Sequence, residues 1–207
     1  MRTHLPPWQA LCQKAHLQDP DGRIHAQLRD AYVGRAYHSI QHIGACLAWL
    51  DAVAESGVAI PEAYAVELAL WFHDIVYDSR AADNEEQSAE IARSALLAMG
   101  GPVELTERVA SLILATKHHH CANDPAAAWV VDIDLAILGE SPARFETYDE
   151  QIRQEYEWVP MKVYREKRAE VLRTFLNRQS IYKTEFFRRR LEDQARVNLA
   201  AAIRRLK

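Results

Sequence analysis

Ala63-Tyr64-Ala65-Val66-Glu67-Leu68-Ala69-Leu70-Trp71-Phe72-His73-Asp74-Ile75-Val76 combines a strongly apolar run with an adjacent histidine and aspartate. Ala65, Leu68, Ala69 and Phe72 recur at three- and four-residue steps, the spacing of one helix face. The stretch is too short to cross a bilayer and carries Glu67 and Asp74. It therefore reads as a helix from Ala63 to Phe72 that runs into a His-Asp pair. Large apolar residues flank that pair, so both groups are expected to be withdrawn from water. Burying an acid and an imidazole without partners costs several kcal/mol. Either they satisfy each other and merely end the helix, or a divalent cation takes a nitrogen and an oxygen together.

The same periodicity extends in both directions. Ile43, Leu47, Leu50 and Ala54 mark an earlier helix, and Ser88, Ile91, Ala92, Ala95, Leu96 and Met99 a later one. Asp83, with Glu86 three residues on, looks like an N-cap with a capping box. Val109, Leu112, Ile113 and Thr116 form another stripe. Ser141-Pro142 reads as an N-cap followed by proline at the first helical position. Glycine and proline cluster between these segments, from Pro6-Pro7 and Asp19-Pro20-Asp21-Gly22 to Pro160, and none follows Met161. Trp129-Val130-Val131 is the best strand candidate, and it is short. The chain is expected to be all-α, with nine or ten helices in one domain spanning 1–207. A metal-site core would cover about 30–140 and a C-terminal helical layer about 141–207.

Composition narrows the function classes. The chain has 207 residues, a net charge of −4, nine histidines and three cysteines. Cys12, Cys46 and Cys121 are odd in number and widely spaced, which argues against a disulfide framework. With no charged-then-apolar leader, a cytoplasmic setting without a membrane partner is expected. Residues 144–207 hold sixteen Lys/Arg against ten Asp/Glu, while the rest of the chain is acidic. Acids such as Glu166, Glu170, Glu192 and Asp193 are interspersed, so mixed-charge helix faces are expected rather than a nucleic-acid site. Phosphate-binding glycine loops, a G-x-S-x-G elbow, H-E-x-x-H and paired C-x-x-C knuckles are all missing.

Six of the nine histidines lie between 38 and 120. His38-Ser39-Ile40-Gln41-His42 would put two imidazoles on one helix face, unless it is only a helix start with a capping histidine. Ala115-Thr116-Lys117-His118-His119-His120-Cys121 ends a helix with basic residues at its favoured end, and one histidine there could turn inward. Val130-Val131-Asp132-Ile133-Asp134-Leu135 sets two acids in an apolar run. Asp132 reads as part of a capping pair at a helix start, and Asp134 as a core-facing acid that needs a partner. Arg35 and Lys117 are the cations nearest these groups in sequence, able to neutralise phosphate or simply to face solvent. His4, His16 and His25 fall before the constellation and read as ordinary surface.

The order His, then His-Asp, then Asp on separate helices resembles the HD-domain superfamily of metal-dependent phosphohydrolases. Tyr37-His38-Ser39-Ile40-Gln41-His42 is similar to the Tyr-His-Asn-x-x-His motif of its cyclic nucleotide phosphodiesterase branch. Leu114-Ala115-Thr116 and Asp134-Leu135 are similar to segments near the metal site of that branch. Ala69-Leu70-Trp71-Phe72-His73-Asp74, Asn84-Glu85-Glu86, Asp134-Leu135-Ala136-Ile137-Leu138-Gly139 and Ile181-Tyr182 resemble a group of small bacterial HD proteins over most of the chain. The resemblance implies an HD helical bundle with additional C-terminal helices. It implies a divalent ion (Mn, Fe, Co, Ni, Zn or Mg) held by His42, His73, Asp74 and Asp134, with His38 the alternative to His42. Asp74 would also orient the nucleophile, His38 would be the general acid, and Lys117 would neutralise phosphate. His119 is a candidate contact to a second metal or to phosphate. Ile75-Val76-Tyr77 stands where the phosphodiesterases carry a further histidine, which departs from a full two-metal site. The substrate implied is a small phosphate ester, possible nucleotides included, and a homo-oligomer is compatible with it. The competing class is an HD-fold metal- or nucleotide-binding regulatory protein without hydrolysis.

Overall fold

A computed structural model describes residues 8–119, 121 and 123–207. His4, Pro6-Pro7 and His120 lie outside the described residues. Among those described there are ten α-helices and no strand. The chain divides into two compact units, Met1–Asp134 and Leu135–Lys207.

The first unit holds α1 (Trp8–Lys14), α2 (Arg23–Ala31), α3 (Ile40–Glu55), α4 (Ala63–Phe72), α5 (Asn84–Ala98), α6 (Val103–Leu114) and α7 (Pro125–Asp134). Helix α4 is the opening stretch of the sequence. Eight of its ten residues, Ala65 to Phe72, are buried. A helix apolar on every side has to be surrounded, and α1, α3, α5, α6 and α7 all pack on α4. Its C-terminal end therefore lies where several helices meet. Two acids cap neighbours of this core. Asp19 accepts from the amides of Ile24 and His25 at the start of α2 and from Trp8 Nε1. Asp124 accepts from the amides of Ala126 and Ala127 at the start of α7.

Two local expectations change, and the best strand candidate proves helical, as the all-α expectation requires. Trp129-Val130-Val131 is helical, inside α7, because packing on α4 and α3 outweighs the strand preference of two valines. Asp132 lies in the last turn of α7 rather than at a helix start, and it is fully buried. Asp83 takes the N-cap position of α5, but its side chain makes no capping bond there. Glu86 pairs with Lys117 instead of completing a capping box.

The second unit holds a short 3-10 helix (Leu135–Gly139), α8 (Pro142–Glu155), α9 (Met161–Leu176) and α10 (Glu185–Arg205). Ser141 and Thr184 cap α8 and α10, accepting from the amides of Arg144 and Phe187. The 3-10 helix packs on α10 so closely that a Cβ on Gly139 would lie 2.5 Å from Leu191 Cβ and 2.7 Å from Leu191 O. Asn198 donates to Leu138 O and Glu140 O, and Tyr182 OH donates to Leu135 O. No described helix is long and apolar enough to cross a membrane.

Candidate metal centre

Three stretches of chain deliver the centre. His42 sits one turn into α3 and is buried. His73 follows the last residue of α4, its amide still bonded to Ala69 O. Asp74 comes next, as the chain leaves the helix. Asp134 is the final residue of α7. The imidazoles are almost sealed, with 3% and 1% of their side-chain surface exposed, and each carboxylate retains 16%.

Four ligand atoms converge. His42 Nε2 and His73 Nε2 are 3.2 Å apart. Asp74 Oδ2 lies 3.0 Å from His73 Nε2 and 3.6 Å from His42 Nε2. Asp134 Oδ1 lies 3.2 Å from His42 Nε2 and 3.5 Å from His73 Nε2. Metal bonds of about 2.1 Å place neighbouring ligands about 3.0 Å apart in an octahedron and about 3.4 Å in a tetrahedron. The observed spacings straddle these values. His42, His73 and Asp134 form a group able to hold a metal ion, and Asp74 sets an oxygen against the same two nitrogens.

The protonation logic agrees. His73 Nδ1 is 3.0 Å from Leu70 O, a carbonyl that can only accept. Nδ1 therefore carries a hydrogen, and when the ring is neutral its Nε2 lone pair faces the centre. A bare imidazole nitrogen and two carboxylates repel one another unless a positive charge stands among them. A divalent cation neutralises both acids, and a proton is the poorer substitute. Burial would lower the His73 pKa, but the Asp74 and Asp134 carboxylates reverse this and hold it well above its ordinary value. Burial would raise both acids. His73, His38 and His42 nevertheless hold Asp74 below the usual carboxylate range. His119, His42 and His73 do the same to Asp134.

The surroundings sort the other expected residues. His38 lies outside α3, because Ser39 takes the N-cap position. The two imidazoles are thus not an i,i+4 pair within a helix. The His38 ring stacks on Tyr77 with centroids 3.8 Å apart, meets Tyr37 edge-on at 4.9 Å and lies 6.1 Å from the His42 ring. His119 has φ +48°, in the left-handed region, and its Nε2 lies 3.2 Å from Asp134 Oδ2. Asp134 thus faces His42 and His73 with one oxygen and His119 with the other. Lys117 Nζ donates to Ala82 O and the Glu86 carboxylate, tying the end of α6 to the start of α5.

Arg35 is neither a phosphate ligand waiting in solvent nor a loose helix-end cation. It donates to Asp74 O, Ile75 O and, at 3.5 Å, His38 O. It thereby fastens the segment before α3 to the turn that carries Asp74, and Tyr32 OH adds a 2.7 Å bond to Trp71 O one residue before Phe72. Sequence reasoning missed this clamp. His25 also departs from expectation, since its ring stacks on Trp8 and meets Trp71 edge-on. Cys46 Sγ lies 3.8 Å from His42 Nε2, deep enough that burial pushes the thiol well up. No disulfide involves Cys12, Cys46 or Cys121.

Comparison of the chain with protein-family models, with curated proteins and with solved structures found no match in any of the three.

Proposed function

We propose that this chain is a metal-dependent phosphohydrolase of the HD type, acting on a phosphomonoester or phosphodiester, nucleotides among them. The observation that carries the reading is the convergence of His42, His73, Asp74 and Asp134, with His73 Nδ1 held by Leu70 O so that its lone pair faces inward. The mixed nitrogen and oxygen donors suit Mn²⁺, Fe²⁺, Co²⁺, Ni²⁺ or Zn²⁺, and Mg²⁺ would need a more oxygen-rich set. A bound divalent ion supplies a water of lowered pKa and polarises a phosphoryl oxygen. His42 and His73 fix the nitrogen side of that site, and Arg35 fixes the backbone on which Asp74 is mounted. Asp74 and Asp134 each keep some exposure, which leaves a route for water and substrate. Asp74 orients the attacking water. His38, held between Tyr37 and Tyr77 at the edge of the centre, protonates the departing alkoxide, a role worth roughly 10²–10⁴-fold. The reading places the protein in the cytoplasm, where its thiols stay reduced.

The test is elemental analysis of the purified protein, followed by turnover of p-nitrophenyl phosphate, bis-p-nitrophenyl phosphate and nucleotides with each metal. The expected result is bound transition metal and metal-dependent hydrolysis, both lost in Asp74→Ala. An Asp74→Ala protein that kept its metal and its turnover would overturn the assignment.

A further inference from the structure

The basic character of the C-terminal third has no role in the centre just described. Part of it gathers around a cavity of about 870 Å³ lined by Arg178, Tyr182, Lys183, Arg188, Glu192 and Arg196 among others. All of them belong to the second unit. Four cationic side chains face this space against one carboxylate.

The cavity wall is built with unusual regularity. Arg188, Glu192 and Arg196 recur at four-residue steps on α10 and so stand in one row, a turn apart. Each holds a successive part of the loop 177–184 that leads from α9 to α10. Arg196 donates to Leu176 O at 3.1 Å, Arg178 O at 2.9 Å and Gln179 O at 3.0 Å. Glu192 accepts from Ser180 Oγ and from the amides of Ile181 and Tyr182 at 3.1–3.3 Å. Arg188 donates to Lys183 O at 3.0 Å. Glu192 also pairs with Arg196 at 2.7 Å, so the one carboxylate of the cavity is engaged in holding the wall. The loop that carries Arg178 and Lys183 is therefore held in shape before any ligand arrives, which lowers the cost of ordering it on binding.

We propose that this cavity binds a small polyanion through its phosphate chain, two or more linked phosphate groups, at a site separate from the metal centre. Three observations favour this class. The lining carries an excess of three positive charges, which matches a di- or triphosphate and exceeds what a single phosphate balances. Arg196 is committed to the loop and to Glu192, and the other two guanidinium groups of the lining, Arg178 and Arg188, have the planar fork that suits phosphate oxygens. The volume falls within the roughly 300–1,000 Å³ of small-molecule sites. Tyr182 is fully buried and stacked on Phe187, with its hydroxyl on Leu135 O, so it offers no platform for a base. The phosphate chain is the recognised part. Burial lowers the Arg178 guanidinium pKa, and an anion offsets that burial.

The test uses the full-length protein and isothermal titration with sodium tripolyphosphate, ATP, orthophosphate and a single-stranded oligonucleotide. Tripolyphosphate and ATP are expected to bind with similar affinity, and orthophosphate and the oligonucleotide far more weakly. Lys183→Glu and Arg188→Glu should each weaken tripolyphosphate by at least about tenfold, the value of a charge-assisted hydrogen bond. Lys167→Glu, the same charge change on an exposed part of α9, should leave binding unchanged. Asp134→Ala, which disables the metal centre, should also leave it unchanged, so the result stands whether or not the protein hydrolyses phosphate esters. Equal weakening by Lys167→Glu, loss of binding in Asp134→Ala, binding of ATP without tripolyphosphate, or tighter binding of the oligonucleotide would each overturn the proposal. Circular dichroism of every variant separates lost binding from lost fold. If both cavity variants unfold, Lys183→Met provides the same comparison with a smaller charge change.

Discussion

In the N-terminal unit, two imidazole nitrogens from distant helices lie 3.2 Å apart, and a carboxylate oxygen from each of Asp74 and Asp134 lies 3.0–3.6 Å from them. In the C-terminal unit, one row on α10 grips one neighbouring loop, and the charged residues lining the cavity are mainly cations. The first cluster holds an excess of acceptors and could hold a cation. The second holds an excess of positive charge, the basis on which an anion is proposed for it. The first depends on long-range packing, because α3, α4 and α7 must all dock before it exists. The second is nearly local and needs only α9, its following loop and α10.

The largest expected effect tests the acceptor side. Asp134→Ala should abolish stoichiometric metal and lower metal-dependent turnover by more than roughly a hundredfold, since even outer partners of metal ligands cost 10–100-fold. Elemental analysis and single-turnover assays read it. The equivalent test of the donor side is Glu192→Ala. It leaves the Ile181 and Tyr182 amides without their acceptor, removes the carboxylate partner of Arg196, and should cost about 2–3 kcal/mol. Urea unfolding should show this, with metal content unchanged. If both variants lost metal, the two clusters would not be independent.

A smaller effect is expected at Arg35→Ala. Asp74 keeps its carboxylate but loses the clamp on its own and the following carbonyl, so metal affinity should fall by about tenfold at nearly constant stability. Competition with a chelator of known affinity measures this. A normal affinity would show that packing alone holds the turn.

The most gradual effect concerns pH. His73 is raised above its ordinary 6.5, so in chelated protein its contribution to stability is complete below 6.5 and lost as pH rises through the raised value. The carboxylates are depressed below 3.8, so their contribution is complete above 3.8 and lost as pH falls through the depressed values. Chelated protein should therefore gain most from this cluster between 3.8 and 6.5. Metal must displace the His73 proton, so affinity should rise with pH, with proton release on loading. Thermal melts of chelated and loaded protein, with a pH-indicator titration, test both statements.

The centre was visible in the sequence to the extent that chemistry is carried by residue type. His73-Asp74 after an apolar helix and Asp134 in an apolar run are polar groups with no place in a core unless they share a partner. That argument needs no tertiary knowledge. The Arg35 clamp had no such signal, because its acceptors are backbone carbonyls 39 and 40 residues away and every residue carries one. The position of His38 was obscured for a local reason. Ser39 takes the N-cap position, so α3 starts too late in the chain to include His38. Trp129-Val130-Val131 carried the best strand signal, yet it was too short to displace the all-α reading, because strand preference is weak beside burial. The α10 row could have been found, since Arg188, Glu192 and Arg196 are spaced by four. The signal was masked because interspersed charges of both signs are also the ordinary pattern of a solvated helix face.

The row on α10 is also a ruler. Its three grips are set one turn apart, and each claims a fixed length of the loop between Leu176 and Lys183. Substituting a loop side chain leaves those lengths intact, because most of the grips hold backbone. Inserting one residue does not, since every carbonyl or amide beyond the insertion is then offered to the wrong grip. This stretch should therefore accept changes of residue type far more readily than changes of length, unlike most surface loops.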